Sequence, residues 1–146
     1  MVDLSAVDLD ELATALGDQG YFEHRWLIDP DSGEIGGRRP FVQLDPEAGG
    51  FPDGLTVDRD GFVWSAQPVY GRIVRYDPDG VIDRIVDLPV SRGTGVAFGG
   101  PDFDTLYVTS ATETLTETQI AEEPLAGSVF AFAPGVGGIA ETPFSG

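Results

Sequence analysis

The sequence predicts an all-β chain built from short antiparallel strands of β-propeller type, with a short helix at the start. Three observations carry this. Phe51 to Leu88 reads as four strands in a row within about forty residues, the size of one propeller blade. The connections Asp58-Arg59-Asp60-Gly61 and Asp77-Pro78-Asp79-Gly80 stand between β-branched and aromatic runs. Gly takes positive φ there and Asp bonds its own backbone, which is what a tight hairpin needs. Comparable turns begin near Asp29, Asp77 and Pro134, so the unit repeats, with the last interval lengthened by an insertion.

Residues 1–20 stand apart from the rest. Ser5 caps an expected helix through Ala6–Leu16, with Asp8 and Asp10 in its first turn and Gly17 just past its end. Leu9, Leu12, Ala13 and Leu16 share one face. Residues 21–146 then form the partial propeller. Phe22–Ile28 and Arg39–Leu44 are expected as the last two strands of a blade, joined by a turn from Asp29 to Gly33. The first full blade comprises Gly54–Val57, Phe62–Ala66, Arg72–Tyr76 and Val81–Leu88. The second comprises Thr94–Phe98, Thr105–Ser110, Ser128–Ala133 and Ile139–Phe144. Thr112–Pro124 is an insertion with a helical turn near Glu117–Glu122. The count is two and a half four-stranded blades.

Composition narrows the function. The 146 residues carry a net charge of −17, and all eight basic residues are arginine. So acidic a surface repels nucleic-acid phosphates and anionic lipid, and both are excluded as partners. With no cysteine, disulfides and thiolate zinc sites are impossible. No apolar run approaches the ~18 residues of a membrane-spanning helix, and no secretory leader is visible; the cytoplasm is the expected location. His24, the one histidine, reads as a strand residue rather than a base or metal ligand. No nucleophile elbow, P-loop or dinucleotide fingerprint is present, and Gly135, Gly137 and Gly138 read as a turn.

Several stretches together resemble the senescence-marker-protein / gluconolactonase / luciferin-regenerating-enzyme family. They are Phe51-Pro52-Asp53-Gly54-Leu55-Thr56-Val57-Asp58, Gly71 to Gly80, Phe98 to Ala111, and Pro124-Leu125-Ala126-Gly127 ahead of Val129-Phe130-Ala131-Phe132. The resemblance covers roughly Tyr21 to Gly146. It implies a six-bladed propeller, of which this chain is the C-terminal part, and a metal-dependent sugar-lactone hydrolase. In that family the Asp of the matching Pro-Asp-Gly motif ligates a divalent metal and is the proposed general base. The resemblance therefore assigns both roles to Asp53, with Ca²⁺ as the foremost metal and Mg²⁺, Mn²⁺ or Zn²⁺ as alternatives. The expected partner is a small-molecule lactone. Loops ahead of first strands line the mouth of a propeller's channel; Thr94, at the head of the last blade, and Gln67 and Tyr70, in the loop after Trp64-Ser65-Ala66, are candidates for lining it.

The same resemblance exposes a shortfall. The family's site also uses a Glu from its first blade and an Asn from a middle blade. Neither motif is here: Glu11 and Glu23 occur in unrelated contexts, and the chain has no Asn. The isolated chain is thus expected to be inactive unless another polypeptide completes the site. The alternative is a non-catalytic propeller fragment or assembly subunit. Unclosed blades also leave apolar faces without neighbours, which predicts self-association through those faces.

Overall fold

The computed structural model describes residues 22–29, 32–44 and 50–140. The chain divides into two compact units, Met1–Gly49 and Gly50–Gly146. The expected N-terminal helix, and with it the domain boundary at residue 20, lies outside the described residues.

In the first unit, β1 (Phe22–Ile28) pairs antiparallel with β2 (Ile35–Gln43). The pairing shifts register twice, between Glu23 and His24 and between Arg25 and Leu27. At the connecting turn, Asp29 Oδ1 accepts from the Ser32 N–H at 2.9 Å, and the Asp29 carbonyl accepts from Gly33 N–H at 2.8 Å. β2 begins at Ile35, four residues before the expected start at Arg39, and ends at Gln43, one before the expected Leu44.

The second unit holds two sheets. The first is a meander of β3 (Leu55–Val57), β4 (Val63–Gln67), β5 (Arg72–Tyr76) and β6 (Ile82–Asp87). The other is β7 (Gly93–Gly99), β8 (Thr105–Ser110) and β9 (Val129–Phe132), with helix α1 (Glu117–Glu122) between β8 and β9. Thr116 starts α1 with a capping box: its hydroxyl accepts from Gln119 N–H, and the Gln119 side chain accepts from Thr116 N–H.

Alternation along the strands sets how these sheets meet. Cross-strand partners Trp64↔Arg75 and Ala66↔Ile73 share one face of the first sheet. Val96↔Val108, Phe98↔Leu106 and Leu106↔Phe132 share one face of the second. These faces form a single core of Trp64, Ala66, Ile73, Val96, Leu106 and Val108, flanked by Val86, Leu88, Phe98, Phe130, Phe132 and Val136. Trp64 sits fully buried at its centre, edge-on to Phe98 and Phe132 with ring centroids 6.3 Å apart in both pairs. Burying side chains of this size contributes about 1.5–3 kcal/mol each.

The far face of the second sheet is different. Ala97, Tyr107, Thr109, Val129 and Ala131 are exposed there, and none is charged.

The expected fourth strand of the second sheet, Ile139–Phe144, is not formed where it is described. Ile139 and Ala140 carry no strand, and residues 141–146 lie outside the described residues. The chain before them turns back to the first sheet. Arg59 N–H donates to Gly137 O at 2.9 Å, Gly138 bridges Asp58, Gly138 N–H donates to Phe103 O at 2.7 Å, and Arg84 donates to Pro134 O at 2.6 Å. Glycine is required at Gly138, whereas at Gly137 the exposed Arg59 side chain can swing aside. A Cβ on Gly137 would lie 2.2 Å from the Arg59 guanidinium, and one on Gly138 2.2 Å from Phe98.

Candidate functional site

The candidate site gathers at one end of the two sheets, where β3, β5 and β7 begin and β4 ends. Asp53 immediately precedes β3. Its N–H donates to Ala66 O at 2.9 Å, and Gly54 O accepts from Ala66 N–H at 3.0 Å, so the β3–β4 ladder runs on past the strand. Gly54 N–H crosses to the other sheet and donates to Thr94 O at 2.8 Å. The two backbones touch here. A Cβ on Gly54 would lie 2.7 Å from Gly95 Cα and 2.8 Å from Thr94 O. Glycine is thus required by close approach, and the preceding Pro52 stiffens the entry. The result is an exposed Asp53 carboxylate on a doubly fixed backbone, with no side-chain partner among the described residues.

The other expected mouth residues divide. Thr94 joins Asp53 through Gly54, and its hydroxyl shares a hydrogen bond with that of Thr109 at 3.0 Å. Gln67 is fully buried. Its amide N–H donates to the Tyr76 hydroxyl at 2.6 Å and its carbonyl accepts from Arg72 Nε at 2.8 Å. Tyr70 is half-buried with the Arg72 guanidinium 4.3 Å over its ring. Gln67 and Tyr70 therefore meet at Arg72, and Thr94 meets Gly54, the residue after Asp53.

Sequence reasoning did not single out the cleft beside Tyr70. It has a volume of about 340 Å³ and is walled by Tyr70, Leu88, Pro89, Ser91 and Glu123. Glu123, from the insertion, reaches over to Ser91 and accepts from its N–H at 2.7 Å and its hydroxyl at 3.1 Å. Val69 N–H donates to Ser91 O at 2.9 Å, so three loops are tied together at this end. The signal in the sequence was the insertion itself; its partner is remote and was not readable.

Among the described residues, no three His, Asp or Glu side chains converge to hold an ion. Asp53 offers one carboxylate, whereas Ca²⁺ takes six to eight oxygens and Mg²⁺ six. The residues present do not make a complete metal site. His24 lies in β1, consistent with a strand residue, and Asp58, Asp60, Asp77 and Asp79 lie in their hairpin turns.

Comparison with known proteins agrees with this frame. The family description for the SMP-30/gluconolactonase/LRE-like region matches residues 24–112. The chain belongs to this family. It is 42% identical over 123 residues to a 6-deoxy-6-sulfogluconolactonase of Pseudomonas putida, covering 84% of this chain and 42% of that one. It is 47% identical over 88 residues to a pentonolactonase of Haloferax volcanii, covering 60% of this chain and 30% of that one. Among solved structures it is similar to a calcium-binding regucalcin from Agrobacterium tumefaciens, with a TM-score of 0.75 and 33% identity over 81% of this chain and 40% of the other. A luciferin-regenerating enzyme matches with a TM-score of 0.70 and 33% identity, over 80% of this chain and 39% of that one. The chain is thus a partial β-propeller of the family, spanning well under half the length of these relatives.

Proposed function

We propose that the chain is the part of a sugar-lactone hydrolase that carries Asp53, and that turnover requires blades lying outside it. The observation that carries the reading is Asp53 itself: a carboxylate exposed at the strand-end face, with no side-chain partner among the described residues, on backbone fixed by two sheets. Relatives that are sugar lactonases support the substrate class.

The chemistry asks for such a group. In lactone hydrolysis, water adds to the acyl carbon, the ring C–O bond breaks, and the ring oxygen leaves as a hydroxyl. A carboxylate without a cationic partner is free to accept the proton of the attacking water, and fixed backbone keeps it in place. The calcium-binding neighbour supports a divalent cation in the completed site, which would polarise the acyl oxygen. This chain contributes one ligand to that site.

The test is a pH-indicator assay with gluconolactone and a pentonolactone, with and without Ca²⁺. The chain alone should give only the spontaneous rate. Supplied with the portion of a relative that it does not span, it should hydrolyse lactone. Asp53→Ala should then lower the rate by about 100-fold or more. Complemented activity that survives this substitution overturns the assignment. No activity in any combination supports the second reading, a non-catalytic propeller piece or assembly subunit.

A further inference from the structure

The pairing of β7 with β8 slips at Thr94. Gly93 stands opposite Ser110 and Gly95 opposite Thr109, so Thr94 is an extra residue without a partner in the ladder. Such a bulge re-aims a side chain. Here it brings the Thr94 hydroxyl to 3.0 Å from that of Thr109, although the ladder partner of Thr109 is Gly95. Thr109 is exposed and lies on the face of the sheet away from the core, since its neighbour Val108 belongs to the core. The Thr94 carbonyl accepts from Gly54 N–H at 2.8 Å, which ties the bulge to the residue after Asp53.

The pair is open to a ligand. A Cβ on Gly95 would lie 2.9 Å from Thr109 Oγ1 and, outside its own chain neighbours, would meet nothing else within 4 Å. Glycine at 95 thus leaves the space against that oxygen empty. Each threonine hydroxyl has one donor and two acceptor lone pairs, and the bond between the two uses one of each. One O–H and three lone pairs are left over. Neither hydroxyl meets a further partner among the described residues. A donor held beside acceptors matches a hydroxyl group, which both gives and takes a hydrogen bond. An anion would find a single donor there, on a chain of net charge −17 that repels it. A threonine pair serving only the sheet needs no bulge, because directly opposed threonines bond each other.

We propose that Thr94 and Thr109 bind a ring hydroxyl of the sugar lactone and are specificity-determining residues. The inference deepens the lactonase reading and rests on it for the nature of the ligand, since hydroxyls are what distinguish a sugar lactone from a plain one. Because the Thr94 backbone is bonded to Gly54, a ring held by the pair is oriented relative to the backbone that carries Asp53.

The test is an NMR titration of the chain, read at the threonine methyl signals. The probe is anhydroglucitol, a stable ring ether with a sugar lactone's hydroxyls and no carbonyl. Tetrahydropyran, the same ring without hydroxyls, is the control. Anhydroglucitol should shift the Thr94 and Thr109 methyls saturably, and tetrahydropyran should leave them in place. Thr109→Val keeps the shape and removes the hydroxyl; read at Thr94, it should weaken anhydroglucitol by about fivefold. Thr109→Ser should bind nearly as the parent does. A pair that merely ties the strands would lower the melting temperature of Thr109→Val and leave its titration unchanged, and that result overturns the proposal. So does an anhydroglucitol titration of the unmodified chain that moves neither methyl, or one that tetrahydropyran reproduces. Lactone hydrolysis indifferent to Asp53→Ala would remove the proposed function yet leave threonine-dependent polyol binding standing. Asp53-dependent hydrolysis with no threonine response would remove only the assignment of Thr94 and Thr109.

Discussion

The first sheet contains the same turn twice, once buried and once exposed. Asp58 Oδ1 accepts from the N–H groups of Asp60 and Phe62 at 3.0 and 3.1 Å. Asp77 Oδ1 accepts from Asp79 and Val81 at 2.9 Å each. In both turns the Asp carbonyl accepts from the glycine N–H at 3.0 Å, and the glycine has φ of +83° or +84°. What separates them is the second carboxylate oxygen. Asp58 is fully buried, and its Oδ2 accepts from Trp64 Nε1 at 2.9 Å and from Arg75 Nε and Nη2 at 2.8 Å each. Asp77 has no such partners among the described residues. Arg75 in turn lies 3.8 Å over the Phe62 ring and also contacts Asp60 and Asp83. One turn closes a hairpin; the other closes a hairpin and supplies the counter-charge that lets an arginine enter the core beside Trp64.

Removing both carboxylates should give the largest contrast. Asp58→Ala leaves Arg75 with only its half-exposed aspartates and Trp64 Nε1 with nothing. Breaking a buried pair by removing one partner costs about 3–5 kcal/mol. Asp77→Ala removes two exposed turn bonds and should cost about 1 kcal/mol. Urea unfolding of both variants checks this, and equal midpoints would show that the buried pair adds nothing.

Asparagine sharpens the comparison, because it keeps the turn oxygen and changes only the second atom. Asp77→Asn should lie within about 0.5 kcal/mol of the parent, since Asn forms the same turn. At position 58 the new amide nitrogen faces the donors of Trp64 and Arg75. Asp58→Asn should therefore lose about 2–3 kcal/mol, most of the alanine effect. If both asparagine variants unfold alike, the Oδ2 contacts are not what distinguishes the turns.

Acid should act on the buried turn next. Burial alone would raise the Asp58 carboxyl. The hydrogen bonds from Trp64, Arg75 and Phe62 N–H, with the Arg75 charge, outweigh it and hold the group below its ordinary value of 3.8. A carboxyl depressed in the folded state contributes fully above that ordinary value, and the contribution fades as pH falls through the folded value. The stability gap between the parent and Asp58→Asn should accordingly stay constant from neutral pH down to about 4 and shrink below it. A gap already closing at pH 6 would point to some other group.

The comparison also shows what a single sequence reveals. Both turns were legible, because Asp and Gly dictate them within four residues. So were β1, β5, β8 and α1, whose observed ranges match the expected ones. The Asp58–Arg75–Trp64 cluster was not legible. It depends on Trp64 standing opposite Arg75 across two strands, which is a matter of register rather than of either residue's neighbours. Gln67 shows the same limit: its position at a strand end is local information, while its burial against Tyr76 is not. Gly137 and Gly138 read as a turn because nothing nearby announces Phe98, the side chain that Gly138 must clear. At the candidate site, the Pro-Asp-Gly run was readable, but the close approach at Gly54 was not. That the crowding backbone belongs to Thr94 and Gly95 is a tertiary fact.

The smallest contrast is expected at the two glycines, and it tests whether the turns are really one geometry. Gly61 and Gly80 hold left-handed φ values one degree apart, +83° and +84°. A Cβ on Gly61 would meet nothing within 4 Å, so the cost of alanine there comes from the backbone angle rather than from packing. That cost is about 1–2 kcal/mol for a residue forced into the left-handed region. Gly80 is in the same conformation, so Gly61→Ala and Gly80→Ala should shift the unfolding midpoint by the same amount, although one turn borders the buried ion pair and the other does not. A clearly larger loss at Gly61 would mean that the angle there is coupled to Asp58 and Arg75. The buried cluster would then be shaping its own turn, instead of occupying one that the local sequence had already made.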